Sequence, residues 1–122
     1  MVILFSDGGD TISRISGSEA LQSLIESGAL LYAIDLNDSG RSHGSAILRQ
    51  MTEATGGQYF SSQHSAVTVL QSVFEDLRAS WVVTYEVPDT TLGFHALRIL
   101  PKHNSNMRFH CRGGYYYGSS VP

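Results

Sequence analysis

Asp7 is the acid whose setting says most about chemistry in this 122-residue chain: Ser6 precedes it, Gly8 and Gly9 follow, and Asp10 comes next. The apolar run Val2-Ile3-Leu4-Phe5 leads straight into it. Carboxylate oxygens suit a hard cation such as magnesium, which takes near-octahedral oxygen ligation and keeps several waters. A second strand-then-acid pattern places Asp35 after Leu30 to Ile34, with Asn37, Asp38, Ser39 and Gly40 behind it. Oxygens at 35, 37 and 39 ahead of Gly40 have the spacing of half a calcium loop, but position twelve is Ala46 where that loop needs a bidentate Glu. A polar turn between strand and helix is the simpler reading. Asp7, Asp10, Asp35 and Asp38 could also gather at one sheet edge and activate a metal-bound water, as in a carboxylate hydrolase. No Gly-x-Ser-x-Gly, Gly-x-x-x-x-Gly-Lys or Gly-x-Gly-x-x-Gly motif is present to complete a catalytic apparatus. His43 and His64 are ligands by type, but isolated histidines in loops are ordinarily polar surface.

The elements that would position these acids alternate. Val2 to Phe5 has no polar alternation, the mark of a strand covered on both faces in a parallel sheet. Ser16 with Glu19 is a capping box, and Ala20, Leu21, Leu24 and Ile25 repeat at helical spacing until Gly28. A second helix carries Ile47, Leu48 and Met51 and stops at Gly56-Gly57, before a short strand at Gln58 to Phe60. A third, from about Ser65, presents Val67, Leu70, Val73, Phe74 and Leu77 as its apolar stripe. Strand-helix alternation predicts an α/β fold with a parallel sheet and flanking helices over residues 1–80. From residue 81 the pattern changes. Trp81 to Val87, His95 to Leu100 and Met107 to Cys111 read as strands, with Pro101 and Asn104-Ser105-Asn106 at the turns, which predicts an antiparallel β extension over 81–122.

Composition narrows the function classes. A hydrophobic share of 42% with 16% charged residues is that of a globular protein, and no apolar run approaches the ~20 residues of a membrane span. The N-terminal residues lack the pattern of a signal peptide. Cys111 is the one cysteine, so neither an internal disulfide nor a thiolate zinc cluster can form. Residues 1–92 hold eleven acids against four arginines, a net of −7, whereas residues 93–122 hold Arg98, Lys102, Arg108 and Arg112 and no acid, a net of +4. Basic residues interleaved with Phe109 and Tyr115-Tyr116-Tyr117 could meet an anionic polymer. A basic hairpin packed on an acidic body is the simpler reading, and nucleic acid is not the expected partner.

Phe5-Ser6-Asp7-Gly8 with Asp10-Thr11, Tyr32-Ala33-Ile34-Asp35, and Leu48 to Gly57 with Tyr59-Phe60 together resemble the second half of a von Willebrand factor type A domain. Leu77 to Tyr85 and Arg112-Gly113-Gly114-Tyr115-Tyr116 are similar to the bacterial subgroup described as acidobacterial-type von Willebrand factor A-related proteins. The resemblance implies a truncated, Rossmann-like, doubly wound sheet and a non-enzymatic protein-binding or adhesion module. It also implies a metal-ion-dependent adhesion site holding Mg²⁺, in which an acidic side chain of the bound protein completes the metal shell. Of the family's ligands, only the Asp of the Ser-Asp-Gly motif carries over, and it is Asp7; Asp10 stands nearby, and Ser6 and Gly8 shape the loop. No Asp-x-Ser-x-Ser occurs in the chain. The site is therefore expected to be incomplete and to hold the cation weakly, and an inactive fragment of a larger secreted protein is a further reading. The subgroup implies an extracytoplasmic, periplasmic or secreted location. In the family's strand order, residues 2–5 would border a strand absent here, so an exposed apolar edge and self-association through it are expected.

Overall fold

The computed structural model describes residues 1–9, 13–37, 42–104 and 106–118. Three strands, β1 (Val2–Ser6), β2 (Leu31–Asp35) and β3 (Tyr59–Phe60), form a parallel sheet in the order β1-β2-β3. Val2 pairs with Leu31 and Ser6 with Asp35, so both strands deliver their last residue to the same edge. Between them runs α1 (Gly17–Glu26), opened by the predicted capping box: Ser16 Oγ accepts the Glu19 N–H at 3.2 Å, and a Glu19 carboxylate oxygen accepts the Ser16 N–H at 2.7 Å. The second crossover is α2 (His43–Thr55), capped by Ser42 and ended by Gly56 at φ 79°, a left-handed conformation that glycine adopts without steric cost. Helix α3 (Ala66–Ala79) follows β3, capped by Ser65. The α/β class is thus observed, with three parallel strands and a separate two-stranded antiparallel sheet.

All five residues of β2 are buried, whereas β1 is only partly covered. On one face of the sheet, Tyr32, Ile34 and Phe60 pack with Val69 and Val73 of α3, with Ile3 and Leu30 alongside. The Tyr32 hydroxyl donates to Asp76 at 2.5 Å, and burial, reinforced by that bond, pushes the Tyr32 phenol above its ordinary value. The opposite face belongs to α2, whose Thr55 Oγ1 accepts the Leu31 N–H at 3.1 Å.

The third helix corrects the expected stripe. Val73 is buried, as expected, but so is Val69, while Val67, Leu70, Phe74 and Leu77 are exposed. A sheet of three strands is too narrow to meet the whole apolar arc of α3. Only the line that lies over β2 finds a partner.

The carboxyl-terminal region departs further. Its hairpin is antiparallel, but the strands are β4 (Gly93–Ala96) and β5 (Gly114–Tyr117), with Phe94 opposite Tyr116, rather than 95–100 and 107–111. The register is set by two anchors just before β5: the Gly113 N–H bonds to Ala54 O at 2.9 Å, and the Arg112 guanidinium donates to Ile25 O at the end of α1. Arg112 thereby becomes a second donor to a carbonyl of the last turn of α1 that also accepts the Gly28 N–H at 3.2 Å. Trp81 to Val87 has no regular secondary structure and joins no ladder, and Trp81 is 91% exposed. Strand propensity measures fit to a half-buried pleated surface, and most of this run lacks one; the Tyr85 ring lies 6.4 Å from Tyr115. Tyr115 also stacks on His95 at 4.9 Å, and His95 Nδ1 lies 3.5 Å from Asp89.

Candidate functional site at the carboxyl edge of the sheet

Strands β1 and β2 bring Asp7 and Asp35 to one edge, beside the first turn of α2, and the two acids meet opposite fates. Asp7 follows the last residue of β1 and is exposed, with Oδ1 accepting the Gly9 N–H at 2.9 Å. Ser6 Oγ accepts the Gly8 N–H at 3.0 Å, so the loop is held by its own side chains. Gly8 has φ 70° and lies directly on Gly44 of α2. A Cβ on Gly44 would stand 2.5 Å from the Gly8 carbonyl carbon and 2.6 Å from Asp7 O, so two glycines are needed for backbone to approach backbone here. This contact pins the main chain from which the Asp7 carboxylate projects. Asp10, expected to assist Asp7, lies outside the described residues, as do Asp38 to Gly40 of the calcium-like loop.

Asp35 has no exposed surface. Its Oδ1 accepts the Asn37 N–H at 2.8 Å and its Oδ2 the Tyr59 hydroxyl at 2.5 Å. Ser45, buried in the first turn of α2, bonds to the same carboxylate. Burial pushes the Asp35 carboxyl up, but the bonds from Ser45, Tyr59 and the Asn37 amide, with the Arg49 charge, outweigh it and hold the group below its ordinary value. Burial and the bond to Asp35 raise the Tyr59 phenol in turn. The Arg49 guanidinium lies 3.8 Å over the Tyr59 ring, completing the cluster. The lone pairs of Asp35 are thus committed to internal donors, and it ties β2, β3 and α2 together rather than facing a ligand.

Ser45, Arg49 and Tyr59 are not among the site residues expected from the sequence, although Arg49 and Tyr59 lie within the stretches that carry the resemblance. A signal was available: Ser45, Arg49 and Thr52 recur at helical spacing beside Leu48, so polar groups stand on a face that must meet the sheet. Of the two candidate histidines, His43 is the first residue of α2 and exposed, and His64 lies in the turn before α3 with its ring 6.2 Å from Phe60. No group of three or more His, Cys, Asp or Glu placed to hold a metal occurs among the described residues. A cleft of about 500 Å³ runs between the end of α2 and residues 109–111, lined by Arg49 and Tyr59 of the Asp35 cluster together with Glu53, Phe109, His110 and Cys111.

No family model matches this chain, and no curated protein does. Among solved structures, an uncharacterised membrane-spanning protein from Vibrio fischeri is similar over 64% of this chain, with 24% identity and a TM-score of 0.46. The match spans 45% of that protein's chain, under two thirds of its length. The expected periplasmic or secreted location is not upheld: that neighbour carries the description membrane-spanning, and no location is assigned to this chain. No helix among the described residues is long and apolar enough to cross a membrane.

Proposed function

We propose that this chain is a non-enzymatic protein-binding module of the von Willebrand factor A type, with residues 1–80 forming part of its α/β domain and 81–122 a β-rich extension. The observation that carries the reading is the contrast between the two edge carboxylates: Asp35 is spent inside the fold, while Asp7 projects into solvent from a main chain pinned by the Gly8 and Gly44 contact. An exposed acid on a rigid loop suits binding, through a cation shared with a partner's acidic side chain. Asp7 alone does not fit a closed magnesium site, because such a site needs further oxygen ligands, and among the described residues no group of three or more His, Cys, Asp or Glu is placed to hold a metal. The remaining ligands would come from another segment or another chain. Self-association through β1 belongs to the same proposal, because the outer edge of that strand has no partner among the described residues.

Isothermal titration of Mg²⁺ and Mn²⁺, with Asp7→Ala as control, tests the metal reading. Weak saturable binding that disappears in the variant is the expected outcome. Binding unchanged by the substitution, or none, removes Asp7 from the site. Mg²⁺- or Mn²⁺-dependent hydrolysis of a generic phosphoester that is lost in Asp7→Ala would replace the binding reading with the hydrolase one.

A further inference from the structure

The outer edge of β1 and the exposed flank of α3 form one surface, and its geometry is self-complementary. The Val2 N–H bonds to Leu30 O and the Leu36 N–H to Ser6 O, so the even-numbered residues of β1 direct their backbone groups inward to β2. Alternation then turns the N–H and C=O of Ile3 and Phe5 outward, and no charge or proline blocks the run from Val2 to Ser6. Phe5 pairs with Ile34, so its ring lies on the α3 face, where it is 59% exposed. Helix α3 runs back against the strands, with Asp76 near its end bonded to Tyr32 near the start of β2. With the right-handed crossovers that such units take, this direction turns Val67, Leu70, Phe74 and Leu77 toward the β1 side.

We infer that a second copy of this chain pairs antiparallel with β1 across a two-fold axis at Leu4, giving a continuous six-stranded sheet. This rests on the self-association part of the function proposed above and is independent of the metal site. In this register Ile3 of one copy stands opposite Phe5 of the other, and their outward backbone groups exchange both hydrogen bonds. The Leu4 residues meet on the axis as a pair without backbone bonds between them, Cα atoms about 4.5 Å apart. The two α3 helices lie on the same face, their apolar flanks turned toward each other over the Ile3 and Phe5 pairs. Phe5, Val67, Leu70, Phe74 and Leu77 leave roughly 500 Å² of apolar surface open, the upper end for a monomer. A stable interface takes about 800 Å² from each partner, and the strand edge with Ile3 supplies the difference.

The experiment is analytical ultracentrifugation at about 100 µM with cysteine cross-linking in a Cys111→Ser background. The expected result is twice the 13.3 kDa chain mass, falling to the single-chain mass in Phe5→Pro and in Phe74→Glu with unchanged far-ultraviolet circular dichroism. Phe5→Pro removes an outward N–H that β2 does not use, and Phe74 is exposed, so neither substitution attacks the core. Leu4→Cys cross-links to itself under mild oxidation, because an axial pair falls within disulfide range. Val2→Cys does not, since four residues of strand separate the two copies of position 2 by ~13 Å. A single-chain mass for the unsubstituted protein overturns the proposal and leaves the edge to a different chain. Equal cross-linking at positions 2 and 4 overturns the register and indicates unspecific association.

Discussion

The two faces of the parallel sheet are held by different means. Toward α2, polar groups are buried beside apolar ones: Asp35, Ser45, Thr52 and Thr55 lie there with Leu31, Ala33 and Leu48, and each polar group has a hydrogen-bond partner. Toward α3, contact is almost wholly apolar, with Tyr32 and Asp76 as the polar bond at its margin, and it stops halfway round the helix. The polar face is closed and specific, since an unpaired buried group would cost more than the bond yields. The apolar face is extensible, because a side chain such as Phe74 can be covered by any apolar neighbour. A rigid edge that presents Asp7 and an open flank available for association thus arise from one small sheet.

Substitutions on the two faces should differ in size. Asp35→Ala, which orphans the Tyr59 hydroxyl, Ser45 and the Asn37 amide, is expected to cost about 3 kcal/mol in urea unfolding. Because the folded carboxyl is held low, its contribution is present above the unfolded value of about 3.9 and is lost as pH falls through the folded value. The acid limb of the stability curve should therefore flatten in this variant. Gly44→Ala should cost about 2 kcal/mol by forcing the Asp7 loop off α2, seen as a lower thermal midpoint. Tyr32→Phe should cost about 1 kcal/mol. The raised Tyr32 phenol contributes stability below the unfolded value of about 10 that is lost as pH rises through its folded value, so alkaline unfolding should weaken in the variant. Smallest is Phe74→Ala in dilute, single-chain protein, at about 0.5 kcal/mol or less, whereas its neighbour Val73→Ala, 3% exposed, should cost about 2 kcal/mol. Equal losses at 73 and 74 would mean that the flank is already covered.

Features fixed by local chemistry are legible in the sequence. Ser16 and Glu19 cap α1, Gly56 ends α2 with a positive φ, and both strand-then-acid patterns lead to the same sheet edge. Features that depend on a distant neighbour are not. Asp7 and Asp35 stand in similar sequence settings, yet the first is open and the second sealed, because Tyr59 and Ser45 arrive from β3 and α2 to cover only Asp35. Trp81 to Val87 has the propensity of a strand and no ladder partner, and the anchors at Arg112 and Gly113 move the last strand to residues 114–117.

By itself the sequence determined the alternation of strands and helices, their caps and stops, and the delivery of an acid to the end of each of the first two strands. These follow from side-chain period and from hydrogen bonds between residues a few positions apart. The tertiary structure decided which acid is buried, which arc of α3 is covered and where the hairpin pairs. Those outcomes depend on the width of the sheet and on groups brought together from residues far apart in the chain, which no local pattern encodes.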